Sequence, residues 1–116
     1  MSDQAIAELL IRLSVGIVMV IFGLTQIKQP QKWVHYMPAI VRFILPLQPT
    51  TFLHIHGLGN VSLGLLLMSG LAQPVSACLA LAWWIFVTPF AAYYDWTVGL
   101  RDFAISMALL ALVYMY

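Results

Sequence analysis

The chain has 116 residues, of which 63% are hydrophobic and 8% charged, with a mean hydropathy of +0.96. Soluble domains carry about a quarter charged residues, so this composition excludes one and points to a polytopic protein in a lipid bilayer. The formal charge of +1 gives no electrostatic footprint for nucleic acid, and the length allows one domain of three or four spanning helices.

The opening MSDQAIAELL is acidic, not basic, so it does not read as a cleaved secretory signal and the first helix is expected to stay. That helix covers residues 5–27. Its uncharged part, Leu13 to Ile27, rises only ~22 Å at 1.5 Å per residue, which places Glu8 and Arg12 at one membrane surface. They stand at i and i+4, where such a pair satisfies itself on one helix face. Gly16 and Gly23, seven apart, give that helix a side for close packing.

Residues 31–45 do not read as a span. Pro38 interrupts them, and Lys32, His35 and Arg42 are spread along them. Apolar residues recur helically at Trp33, Tyr36, Met37, Ile40, Val41 and Ile44, with His35 and Arg42 on the other face. The segment reads as an amphipathic interfacial helix, anchored by Trp33 and Tyr36 and kinked at Pro38.

The second span, residues 51–71, reads TFLHIHGLGNVSLGLLLMSGL and has no Asp, Glu, Lys or Arg. A helix required only to dissolve in lipid would be Leu, Ile, Val and Phe all round. This one carries His54, His56, Asn60 and the small Gly57, Gly59, Ser62, Gly64 and Ser69. Small residues let a neighbouring backbone approach, and polar ones need partners that lipid cannot supply. It is therefore the expected inner helix.

A short turn leads to the third span, residues 74–92, with Pro74 in its first turn and Pro89 expected to bend or end it. Cys78, the only cysteine, lies in its apolar run and reads as a structural thiol, with no disulfide framework or thiolate metal site. An aromatic link around Tyr93, Tyr94, Asp95 and Trp96 suits the headgroup level. The fourth span covers residues 98–116 and opens with Arg101 and Asp102. The fold class is thus all-α, a bundle of four transmembrane helices with an amphipathic interfacial helix between the first two.

Four spans put both long connections on one side. That side carries Lys28, Lys32, Arg42 and Arg101 against Arg12 opposite, so the positive-inside rule puts the links in the cytoplasm and both termini outside. Gln26, His54, His56, Asn60, Tyr94, Arg101 and Asp102 all converge on the link end, with the amphipathic segment beside them as a lid. His56 and Asn60, at i and i+4, share a helix face. His54 lies roughly 200° round the helix and points elsewhere. Asp102 is the charge expected to reach the inward pair, since an acid inside a helix must find a partner or water. Gln26, His56, Asn60, Tyr94, Arg101 and Asp102 are the candidate ligand-binding residues, with Trp33, Tyr36 and Trp96 as interfacial anchors. Each taken alone has an ordinary structural reading, and the functional reading rests on their convergence.

The stretches RLSVGIVMVIFGLTQIKQPQKW, GNVSLGLLLMSGL and DWTVGLRDFAISMALLAL, in this order and spacing, resemble the DoxX-like family of small four-helix membrane proteins. The resemblance implies a four-helix bundle in a bacterial or archaeal plasma membrane. It further implies a link to redox complexes, since some members are subunits of a thiosulfate:quinone oxidoreductase and others associate with oxidative-stress complexes. Arg12 and the Arg101–Asp102 pair look like the family's polar positions. Where relatives often have a basic and an acidic residue, this chain has Gln26 and Asn60. The paired loss of opposite charges is consistent with the two positions being near each other, and a proton or charge role taken from relatives does not carry over to them.

Quinone sites combine an apolar slot with one or two hydrogen-bonding groups. Together with the resemblance, this makes the leading expectation a membrane subunit, not catalytic on its own, that forms or flanks a quinone site among other redox subunits. A structural subunit packed on a larger membrane complex is the alternative. A small transporter is less favoured, because Glu8 lies near the surface and is paired. Haem is also less favoured, because two histidines would have to face each other from different helices.

Overall fold

Ser2 sets where the chain becomes helical: its hydroxyl accepts from the Ala5 N–H at 3.1 Å, capping α1 (Asp3–Lys28). Asp3 in the first turn and Lys28 in the last oppose the helix dipole at each end. The computed structural model describes residues 2–37 and 39–116, apart from the side chains of Ile40 and Val41. The kink expected at Pro38 lies outside the described residues.

The expected single interfacial helix is instead two 3-10 turns, Pro30–Lys32 and Val34–Tyr36, followed by a six-residue helix, α2 (Ala39–Ile44). Met37 has extended backbone (φ −88°, ψ 115°), the conformation imposed on a residue that precedes proline. That break resets the helical phase. Trp33, Tyr36 and Met37 turn towards the bundle, whereas Ile44, read on the same face, is 71% exposed.

Three more long helices follow: α3 (Pro49–Ser69), α4 (Val75–Tyr94) and α5 (Trp96–Tyr114). With α1 they make four helices long and apolar enough to cross a membrane, and no strand occurs among the described residues. The protein is a multi-pass, all-α membrane protein.

Helix pairing follows the small residues. Helices α1 and α3 run antiparallel and meet at two glycine pairs, Gly16 with Gly64 and Gly23 with Gly57. A Cβ on Gly57 would stand 2.7 Å from the Gly23 carbonyl oxygen, and one on Gly64 2.7 Å from that of Gly16. Any side chain there would push the backbones apart. The two pairs are one heptad apart on each helix, so the glycines form a seam along the contact.

Helix α4 continues past Pro89 to Tyr94. Only the Ile85 carbonyl loses its helical donor, because proline has no N–H. The aromatic link expected between α4 and α5 shrinks to Asp95. Its N–H caps α4 on the Ala91 carbonyl, and its carboxylate accepts from the Thr97 N–H at 3.0 Å and the Thr97 hydroxyl at 2.6 Å, capping α5. Gly99 lies against Ala92 just past this corner, so the two helices stay close as they part.

The bundle is two tight antiparallel pairs, α1 with α3 and α4 with α5, joined by thinner contact between them. The half nearest the termini is filled by Val15, Met19, Leu67, Ala80, Leu109 and Leu112. Glu8 meets Arg12 at 3.9 Å and the Tyr116 hydroxyl, and Gln4 donates to the Met115 carbonyl at 3.2 Å, which holds α1 to the end of α5. The half nearest the links is not filled.

Candidate functional site: a cavity between the two helix pairs

Close approach at Gly23 and Gly57 brings the last turn of α1 against the third turn of α3. A Cβ on Gly57 would lie 3.0 Å from that of Gln26. Gln26 Oε1, buried at this contact, accepts from Asn60 Nδ2 at 2.9 Å and lies 3.2 Å from His56 Nδ1. Asn60 Oδ1 accepts from the Trp83 indole N–H at 2.9 Å, which carries the network across to α4. The His56 ring stacks on Trp83, centroids 4.7 Å apart and planes 29° apart. Gly59 makes room for this: the Trp83 ring lies where a side chain at 59 would be.

Across from this edge, α5 contributes Asp102, buried, and Arg101, half-exposed. The Arg101 guanidinium meets Asp102 Oδ1 through Nε at 3.1 Å and through Nη2 at 3.0 Å. It also lies over the Phe22 ring, 5.0 Å from the centroid, an arrangement worth ~0.5–1 kcal/mol or more as it desolvates. Asp102 is therefore neutralised by its neighbour in sequence and makes no hydrogen bond to His56 or Asn60.

Between these edges is a cavity of about 180 Å³. Gln26, His56, Asn60, Arg101 and Asp102 all line it. Its walls are otherwise aromatic and aliphatic, with Phe22, Phe52, Trp83, Trp84 and Phe90 among them. Trp33, Tyr36, Met37 and Leu45 close it from the interfacial segment. That cover is held by ring contacts: Trp33 to Phe22 at 5.3 Å, Tyr36 to Tyr94 at 5.0 Å and His35 to Tyr94 at 4.5 Å. Of the candidates, Tyr94 is the one outside the cavity. It stands 53% exposed at the end of α4 and steadies the cover. Trp96 is 68% exposed at the start of α5, and His54 is exposed on the outer side of α3.

Sequence reasoning missed Trp83 and Trp84. The signal was available. Tryptophan favours the membrane interfaces, where its N–H can reach water, yet these two lie mid-way along α4. Trp83 finds Asn60. Trp84 is 3% exposed, and its N–H has no partner among the described residues.

On the outer side of the His56–Trp83 stack, a separate apolar groove of about 640 Å³ runs between α3 and α4 past Ile55, Gly59, Ser62, Leu79 and Phe86. The stacked pair, with Phe52 and Phe86, lines both spaces and stands between them.

No curated protein and no solved structure matches the chain. The family profile described as DoxX matches residues 7–94 of the 116. The matched stretch takes in α1 from its second turn, the interfacial segment, α3 and all of α4, and with them Gln26, His56, Asn60 and Trp83, so the chain belongs to the DoxX family.

Proposed function

We propose that the cavity holds the ring of a quinone, and that the protein is a small subunit, not catalytic by itself, of a quinone-linked redox complex in a bacterial or archaeal plasma membrane. The supporting observation is the shape and lining of the cavity. A volume of about 180 Å³ compares with the roughly 150 Å³ apolar cavity that takes up benzene, so one substituted six-membered ring is the scale of ligand it admits. The walls are flat rings suited to stacking. The polar groups are gathered on two edges, where the oxygens of a para-substituted ring would fall: His56 with Gln26 and Asn60 on one, the Arg101–Asp102 pair on the other.

The test compares His56→Leu with His54→Leu in lipid nanodiscs, titrated with a short-chain quinone in its oxidised and reduced forms. Loss of one hydrogen bond, ~0.5–1.5 kcal/mol, should weaken binding several-fold in His56→Leu. His54→Leu, on the outer side of α3, should bind as wild type does. Equal affinities of wild type and His56→Leu for both the oxidised and the reduced form would remove the site.

The alternative reading, a structural subunit, draws on the α3–α4 groove, whose small residues Gly59 and Ser62 suit a close-packed foreign helix. Mass spectrometry of what copurifies in mild detergent separates the two. A quinone with a dehydrogenase subunit supports the first, and a membrane partner without quinone the second.

A further inference from the structure

The hydrogen-bond network around His56 contains one group whose direction cannot be reversed. The Trp83 indole N–H only donates, so the Asn60 atom facing it at 2.9 Å is the carbonyl oxygen. That leaves the Asn60 amide nitrogen facing Gln26 at 2.9 Å, and the Gln26 atom there must accept, so it too is the carbonyl oxygen. The opposite setting of Gln26 would place two amide N–H groups against each other. His56 Nδ1 stands 3.2 Å from the same Gln26 oxygen. A ring nitrogen without a proton would set a lone pair against that oxygen. It would gain in exchange only a donation from the second N–H of Asn60 Nδ2 at 3.4 Å, longer and weaker than the 3.2 Å contact that it would turn repulsive.

We infer that Trp83, acting through Asn60 and Gln26, holds His56 with its proton on Nδ1, so that Nε2 offers the cavity a lone pair and accepts from a ligand hydroxyl. Nε2 makes no hydrogen bond to any described residue and is the ring nitrogen left for a ligand. A carbonyl, which can only accept, is mismatched to it. A site built to accept from a hydroxyl discriminates against an analogue that lacks the proton. The preferred ligand is therefore the reduced, hydroxyl-bearing form of an aromatic ring, a hydroquinone or phenol, over the quinone. This ligand class rests on the quinone reading above, whereas the tautomer does not. Trp83 is here a positioning residue, since it acts on the ligand through three side chains.

Nitrogen NMR of the protein labelled with ¹⁵N-histidine, in nanodiscs, distinguishes an Nδ1–H ring, an Nε2–H ring and an imidazolium. The His56 signals are those lost in His56→Asn. The expected result is Nδ1–H in wild type. Trp83→Phe keeps a ring on His56 but removes the N–H, which frees both amides to reverse, and should show a second, Nε2–H population. An Nε2–H ring or an imidazolium in wild type overturns the inference, and so does a Trp83→Phe spectrum identical to wild type.

The ligand side is tested with a short-chain benzoquinol, its benzoquinone and its dimethyl ether. The quinol should bind about fivefold more tightly than either of the others, one hydrogen bond's worth, and His56→Phe should erase the difference. Equal binding of quinol and quinone by an Nδ1–H wild type overturns the ligand assignment alone. Failure of all three to bind overturns it together with the quinone reading, while the spectrum still decides the tautomer.

Discussion

At the scale of single residues, the site depends on a few atoms that satisfy one another in a place without water. Asn60→Leu strands the Trp83 indole N–H and removes a donor from Gln26. A buried unmet polar group costs ~1–3 kcal/mol, so unfolding by SDS or heat should show a loss of that order. Trp83→Phe leaves the Asn60 oxygen without its donor and should cost a similar amount. The double variant should cost less than the sum, because both singles break the same bond. A coupling energy of about 0.5–3 kcal/mol is the range for contacting residues, and strict additivity would mean that the 2.9 Å contact contributes nothing. Gly59→Ala tests the same network from outside. The added methyl overlaps the Trp83 ring, so the indole must move off Asn60, and tryptophan fluorescence should report the shift. Much of this was legible in the sequence. Helical spacing put His56 and Asn60 on one face, and Gln26, His56, Asn60, Arg101 and Asp102 line one cavity, whereas Tyr94 and His54 stand outside it. The network's direction was not legible, because it depends on Trp83, an apolar-looking residue in an apolar run. Asp102 lines the cavity with His56 and Asn60, but its partner was not legible for a similar reason. Burial demands a counter-charge, but sequence spacing does not reveal that adjacent Arg101 folds back to supply it.

At the scale of elements, the two glycine pairs should tolerate no side chain of any size. Gly57→Val sets a branched side chain against the Gly23 carbonyl, and overpacking of this kind costs ~1–3 kcal/mol. It would also lift Gln26 away from Asn60, so reduced resistance to SDS should be accompanied by weaker ligand binding. The pair at Gly16 and Gly64 does not line the cavity, so Gly64→Val should lower stability with less effect on binding. The corner at Asp95 is sensitive to pH. The Thr97 hydroxyl, and then the Thr97 N–H, hold the Asp95 carboxyl below its ordinary value of 3.8. A lowered value means that the cap contributes above that ordinary value and that its contribution is lost as pH falls through the lowered one. Asp95→Ala should lower the unfolding midpoint at pH 7, and the gap from wild type should narrow as the medium is acidified below about pH 4. The spans themselves were readable from uninterrupted apolar runs. The connections were less so. Tyr93 to Trp96 looked like a loop by composition, yet helix continues on both sides of one capping aspartate. The interfacial segment looked like one helix by periodicity, yet the extended backbone at Met37 divides it.

At the scale of the whole molecule, the packing separates two tasks. Tight α1–α3 and α4–α5 pairs, and the apolar half near the termini, hold the bundle. The thinner junction between the pairs, at the link end, leaves the cavity. Gln26, His56 and Asn60 belong to one pair, and Trp83, Arg101 and Asp102 to the other, so the cavity is bounded by both pairs and bridged by the Asn60–Trp83 bond. With Glu8 of α1 against Tyr116, both ends of the chain lie on one side of the bundle. The excess of Lys28, Lys32, Arg42 and Arg101 at the opposite end argues that the link side is cytoplasmic. A reporter joined at the C-terminus that fluoresces only in the cytoplasm should stay dark in a bacterial host, and bright cells would reverse the orientation.

The His56–Trp83 wall between the cavity and the outer groove also bears on how binding must be measured. The groove runs along the lipid-facing side of α3 and α4, so a ligand passing the stacked rings would arrive from among the acyl chains. The concentration that drives occupancy is then a mole fraction in the membrane, fixed by partitioning. At constant total ligand, added protein-free vesicles would dilute the ligand across more lipid and lower occupancy, although nothing in the water had changed. Affinities for such a site have meaning per lipid, and two laboratories using different lipid-to-protein ratios would report different constants for the same hydrogen bond.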